Sequence, residues 1–193
     1  MLTPEFIGFL TLLIGITGEA IYLRSIFRGD TRPHLFTWLI WAILCTIGYL
    51  AQLTEESGPG TWALGITALF SWFNAGLCLK YGDKEFTRSD KIAFIASLVS
   101  IIPWLMTNDP LWSVILISAI DIVGFYPTVR KSWHKPWEEN LTAYYFANGK
   151  MLLSLFALEN ITIVTALYPS AIVVANCGFL LMCHWKRSSK PIP

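Results

Sequence analysis

The stretch Ile120–Lys150, IDIVGFYPTVRKSWHKPWEENLTAYYFANGK, decides the fold. It starts inside one apolar segment, breaks at Pro127, leaves through Arg130 and Lys131, and re-enters a second apolar segment near Leu141. An apolar–basic–apolar succession predicts two membrane spans joined on the cytoplasmic side. Two ionisable residues stand where a span normally has none, Asp121 in the first segment and Lys150 in the second. A charge at mid-membrane costs about 3 kcal/mol or more, so each residue needs a partner or water.

The rest of the chain has the same character. Of its 193 residues, 54% are hydrophobic and only 14% charged, with a mean hydropathy of +0.54. Soluble domains carry about 25% charged residues, so the composition predicts an integral multi-pass protein whose first partner is the lipid bilayer. A span takes about 20 apolar residues. Seven segments qualify: Glu5–Phe27, His34–Leu53, Gly60–Tyr81, Lys91–Met106, Leu111–Val129, Leu141–Leu158 and Ile161–Trp185. The loops between them leave no room for a soluble domain. The first segment has Glu5 instead of a basic leader and too long an apolar run for a signal peptide, so it is expected to remain as a span.

Basic residues fix the expected orientation. Arg28 and Arg32 follow span one; Lys80, Lys84, Arg88 and Lys91 flank the loop after span three; Arg130, Lys131 and Lys135 follow span five; Lys186, Arg187 and Lys190 form the tail. The alternate loops carry Glu55, Glu56, Asp109 and Glu159, without Lys or Arg. This asymmetry puts the N-terminus outside and the C-terminus in the cytoplasm, as an odd number of spans requires. The cell membrane is the expected location.

An internal repeat organises the spans. Gly18 and Gly124 each precede an exit arginine, Arg24 and Arg130, by six residues, and the two copies lie 106 residues apart. Asn74-x-Gly76 and Asn176-x-Gly178 both fall late in an apolar span, 102 residues apart. Spans one to three thus match spans five to seven. Three spans reverse the chain's direction, so a single extra span is needed to make two copies parallel. Span four, with Pro103 and Trp104, takes that role. The expected units are a first three-helix repeat over 1–82, a linker helix over 83–109, and a second repeat with a short cytoplasmic tail over 110–193.

Tyr126-Pro127-Thr128-Val129-Arg130-Lys131-Ser132 resembles the fifth-span exit of the SWEET and PQ-loop superfamily of seven-span carriers, where a proline precedes a basic-Ser turn. Asn74 and Asn176 match the asparagine pair that faces the central solute cavity in sugar carriers of that family. The resemblance implies a SWEET-like all-α membrane protein: two parallel three-helix bundles plus a linker helix, working by alternating access. The chain departs from the family pattern in lacking a Pro-Gln dipeptide at either repeat exit, and in having no proline in span six. The superfamily includes carriers and receptors, so the fold leaves the function to the site.

Several residues are candidates for that site. Asn74 and Asn176 can donate to and accept from one neutral solute, and the pseudo-axis would set them on opposite cavity walls; the alternative is packing between helices, with Gly76 and Gly178 permitting close approach. Asp121 and Lys150 read either as a switchable pair, with Lys150 also an anchor for an anionic solute, or as a fixed ion pair between spans five and six. Glu19 has no partner on its own helix and must look across the bundle or into the cavity, as a proton carrier or as a hydrogen-bonded neighbour. Asn148 and Ser154 flank Lys150, and Trp38, Trp41, Tyr49 and Trp72 are candidates for the cavity wall. Trp62, Trp112, Trp133 and Trp185 suit the membrane interface. Pro127 and Gly124 are the expected hinges.

No metal or cofactor is expected. His34, His134 and His184 fall near cytoplasmic span ends as rim residues, and Cys45, Cys78, Cys177 and Cys183 lack paired spacing. No nucleophile or metal motif marks an intramembrane enzyme, and nothing points to nucleic acid. A retinal protein would need its lysine in the last span, which has none before Lys186. The expected function is a carrier for a small polar solute (a sugar, an amino acid or a small carboxylate), with proton coupling an open option and a homo-oligomer compatible with it. The alternative is a non-transporting seven-span receptor or sorting protein that contacts a partner through Arg130–Glu139.

Overall fold

The computed structural model describes residues 3–29, 33, 35–82, 88–99, 102, 106, 109–134, 136–138 and 141–189. Pro103, Trp104, Arg32, His34, Lys84, Lys135 and Lys190 lie outside the described residues, as do the side chains of Pro127, Arg130 and Lys131. Among the described residues all regular structure is helical. The helices are α1 (Pro4–Arg28), α2 (Leu35–Thr54), α3 (Trp62–Tyr81), α4 (Arg88–Val99), α5 (Pro110–His134), α6 (Leu141–Phe156) and α7 (Ile163–Ser189), with 3-10 turns at Gly58–Thr61 and Pro136–Glu138.

Local chemistry sets the helix ends. Thr3 caps α1, its hydroxyl accepting from the Phe6 amide at 3.3 Å, and Pro4 needs no amide partner in the first turn. Gly29 ends α1 at φ +79°, a left-handed position that glycine adopts without a Cβ clash. At α7, Thr162 and Thr165 cap reciprocally, each hydroxyl accepting from the other's amide, at 2.9 and 3.3 Å.

The burial pattern is that of a chain solvated by lipid. On α1 the buried face is Gly8, Thr11, Gly15 and Glu19, small or polar residues, whereas Phe6, Phe9, Leu13 and Ile16 point outward. Small inward residues let helices approach closely where lipid supplies no hydrophobic drive between them. Four segments are long and apolar enough to cross a membrane: α1, α2, Gly58–Tyr81 and α7. The protein is therefore an all-helical membrane protein with several passes. The described apolar part of α5, Pro110–Phe125, is shorter. α4 is described over 12 residues, about 18 Å at 1.5 Å per residue against a bilayer core of about 30 Å, and most of the expected span beyond Val99 lies outside the described residues. Where the sequence predicts an interruption at Pro127, α5 instead runs on to His134. A proline removes one amide donor and strains one turn, and a helix in apolar surroundings has strong reason to keep all its other bonds.

The helices pack in a closed ring. α3 lies against both α1 and α2, which among the described residues share no extended interface beyond contacts such as the Tyr22 and Trp38 rings, 5.1 Å apart. α7 likewise lies against both α5 and α6, which among the described residues share no extended interface beyond contacts such as the Phe125 and Tyr144 rings, 5.9 Å apart. Between these triplets α1 packs on α6 and α2 on α5, while α2 also touches α7 and α3 touches α6. Exchanging the triplets maps each of these contacts onto another. α4 lies outside the ring, against α2 and α5. The largest core cluster joins Leu44, Leu64, Val114, Ile117, Met151 and Tyr168, and a second joins Leu141, Phe179, Leu180 and Cys183.

Candidate functional site

A polar seam runs through the ring at mid-depth. α3 contributes Thr67, Ser71 and Asn74, spaced four and three residues apart and therefore on one face. That face meets the Gly15–Glu19 face of α1. Asn74 is fully buried and donates Nδ2–H to Glu19 Oε1 at 2.8 Å. The cross-bundle partner that the sequence requires of Glu19 is thus Asn74, one of the two asparagines expected at a solute cavity. Glu19 and Asn74 were separate candidates in the sequence; the structure brings them together.

Lys150 enters the same seam from α6. Its stem passes beside Gly15, where a Cβ would lie 3.3 Å from Lys150 Cδ and from Ile66 Cγ2. Its Nζ donates to Thr67 Oγ1 at 2.6 Å, while that hydroxyl donates to the Ala63 carbonyl at 2.5 Å. Thr67 is therefore oriented as an acceptor for the ammonium. The charges of Glu19 and Lys150 act on each other without forming an ion pair. Two buried acceptors along the seam have no partner, Asn74 Oδ1 and Ser71 Oγ.

The Asp121–Lys150 pair envisaged from the sequence is not formed. Asp121 instead faces Trp41 and Tyr168, on α2 and α7. Tyr168 is 1% exposed and its hydroxyl lies 3.9 Å from Cys45 Sγ. Gly48 makes room for its ring, since a Cβ there would come within 2.8 Å of Tyr168 Cδ1. Trp41 packs edge-on against Trp38, whose indole donates to the Tyr22 hydroxyl at 3.1 Å. The two ionisable residues of the opening stretch thus sit in separate interfaces, Lys150 between α6 and the first triplet, Asp121 between α5 and α2.

A third polar contact follows from Pro169 inside α7. Proline has no amide hydrogen, so the Thr165 carbonyl loses its helical donor. Gln52 Nε2, on α2, fills that place at 2.6 Å. Both Gln52 and Pro169 are fully buried. Sequence reasoning missed this pair; the available signal was a proline and a glutamine, each inside an apolar run.

The remaining candidates are more dispersed. Asn176 is buried at 8% exposure on α7. Asn148 donates to Cys177 Sγ at 3.0 Å, and its Oδ1 has no partner. Gly124 has open space around it. Trp72 is half exposed, with its indole donating to Thr46 Oγ1 at 3.1 Å. Tyr49 lines an open apolar recess of about 330 Å³ with Leu12, Trp62, Gly65, Ile66 and Leu69, between α1, α2 and α3. At the basic end Lys186 Nζ lies over the rings of Trp133 and Trp185, at 3.7 and 4.6 Å, which suits a headgroup-level anchor. His184 pairs with the Tyr145 hydroxyl.

No protein-family model matches the chain, and no curated protein and no solved structure is similar to it at a significant level. What points to a function is the geometry of the ring and its polar seam.

Proposed function

We propose that the protein is a SWEET-like carrier that moves a small polar solute across a cell membrane by alternating access. It has seven spans in a 3+1+3 order, with the N-terminus outside. The observation that carries this reading is the exchange symmetry of the packing. In each triplet the third helix sits between the other two, and the contacts between triplets pair α1 with α6 as they pair α2 with α5. Two like bundles of this kind, facing each other around polar residues, can rock about a shared mid-depth level. α4 supplies the connector that keeps the bundles parallel.

The polar seam supports the reading further. Glu19, Asn74, Lys150 and Ser71 lie at or near the middle of their helices, where ionisable groups cost most and persist where they serve a pathway. Gly124 and Pro127 are the hinge positions of the second bundle. Proton exchange at Glu19 is the route by which transport would couple to a proton gradient.

Reconstitution tests the proposal. Purified protein in liposomes should take up one member of a labelled panel (glucose, lactate and the amino acids), saturably and faster when the same unlabelled solute is inside. Saturable binding without any flux would make it a receptor.

A further inference from the structure

We propose that the seam between Lys150 and Glu19 recognises a zwitterion, an α-amino acid bound with its carboxylate on Lys150 and its ammonium on Glu19; this rests on the carrier reading and names its solute class. The seam holds two opposite charges that are not paired with each other. It carries one positive and one negative charge, each held by its own neighbour, Thr67 and Asn74, and not by the other. Opposite charges that act on each other in a low-dielectric interior attract strongly. Kept apart, they present a fixed dipole, positive at the Thr67 level and negative at the Asn74 level.

The hydrogen-bonding inventory matches one kind of ligand. An ammonium group has three N–H donors. Two acceptors stand at the negative end, the Glu19 carboxylate and Asn74 Oδ1, and a third, Ser71 Oγ, lies one turn away on the same face of α3; the last two are buried and without partners. At the positive end Lys150 gives one N–H to Thr67, leaving two for the oxygens of a carboxylate. A buried polar group left unpaired costs about 1–3 kcal/mol. A simple carboxylate would leave the acceptors bare, and a simple amine would leave Lys150 bare. A sugar can bond to both ends but neutralises neither.

The spacing along α3 is of the right order. Thr67 and Asn74 are seven residues apart on α3, about 10 Å at 1.5 Å per residue. An α-amino acid has charge centres about 3 Å apart, and a charge-assisted hydrogen bond of about 2.8 Å at each end brings its reach to roughly 9 Å. Ser71, one turn from each end, sits level with the middle. The pairing also explains Gly15: any side chain there would crowd the lysine stem that reaches the positive end.

Thermal unfolding of the purified protein in detergent, with each of the twenty amino acids, acetate, methylamine and glucose, tests the site. At least one amino acid should raise the midpoint, while acetate and methylamine should not. Ser71→Ala, a small change at the ligand-facing hydroxyl, should weaken that stabilisation several-fold, and Lys150→Met should abolish it. If Lys150→Met fails to fold, the two half-ligands and Ser71→Ala decide the matter alone. Stabilisation by glucose or acetate without any by amino acids would overturn the zwitterion assignment and leave the carrier standing. No stabilisation by any amino acid would overturn it as well. The carrier reading fails on a different result, a ligand that binds and never crosses a vesicle membrane.

Discussion

Asn74 shows most clearly how one side chain holds the seam together. Its Nδ2–H satisfies Glu19, a carboxyl with 9% exposure. Asn74→Leu would leave that carboxyl unpaired inside the bundle, and unfolding in detergent should show a loss of about 1–3 kcal/mol. Glu19→Gln keeps an oxygen acceptor for Asn74 and should unfold close to wild type; equal losses from both variants would contradict this account of the contact. Gly48 offers a steric test. Gly48→Ala would push a methyl group against Tyr168 and the side chains of Leu64 and Ile117, and overpacking of this kind costs about 1–3 kcal/mol. A neutral Gly48→Ala would mean that the Tyr168 ring can move aside.

At this scale the sequence names residues but not their neighbours. Glu19, Asn74, Lys150 and Asp121 stand out in the sequence because polar groups are costly in lipid. Their pairing is set by contacts between helices far apart in the chain. Glu19 and Asn74 are 55 positions apart, and Lys150 and Thr67 are 83 apart. Thr67 and Ser71 carry no comparable signal, since a hydroxyl in a membrane helix usually bonds to its own backbone, as Thr46 does with Ala42.

Among the elements, α7 makes the most specific prediction. Its interior Pro169 frees the Thr165 carbonyl, and Gln52 on α2 supplies the missing donor across 113 positions of sequence. Gln52→Leu should destabilise the protein by about 1–3 kcal/mol, because it leaves a buried carbonyl bare. Pro169→Ala restores the amide and should relieve most of that loss in the double variant. Additive effects, measured by a double-mutant cycle, would show that the proline and the glutamine are unconnected. The apolar runs give the extent of most elements to within a few residues. α5 departs from its expectation. Pro127 and the basic pair after it signal an end in the sequence, yet the helix continues to His134, because one missing amide does not outweigh the bonds of the turns beyond it. The expected fourth span, Lys91–Met106, lies mostly outside the described residues beyond Val99.

Across the whole molecule, the two triplets are joined tightly at the acidic end. The Glu159 amide donates to the Ser57 carbonyl at 3.1 Å, and Asn160 Nδ2 donates to the carbonyls of Glu55 and Glu56 at 3.0 and 3.2 Å. Gly60 lies so close to Leu158 that a Cβ would meet its Cδ2 at 2.5 Å, and Gly58 stands equally close to Glu159. On the carrier reading this form is closed at the outer side, and the clamp must open in each cycle. Gly60→Val should therefore disturb the clamp, lowering both stability and flux, whereas a change confined to the lipid-facing Leu79 should alter neither. The two short matches, Gly18–Arg24 with Gly124–Arg130 and Asn74–Gly76 with Asn176–Gly178, were legible as sequence, and they fall on α1 and α5 and on α3 and α7, helices with like neighbours in the ring. The clamp was not, because its bonds come from backbone groups whose partners no motif records.

The most direct test joins the clamp to transport. In a variant without native cysteines, Glu56→Cys and Asn160→Cys would place a disulfide across the two triplets, and solute counterflow would be followed in vesicles before oxidation, after it, and after reduction. The account predicts that flux stops when the bond closes and returns when it is reduced. Flux that continues unchanged with the bond fully formed would contradict the claim that two like bundles move against each other to carry the solute.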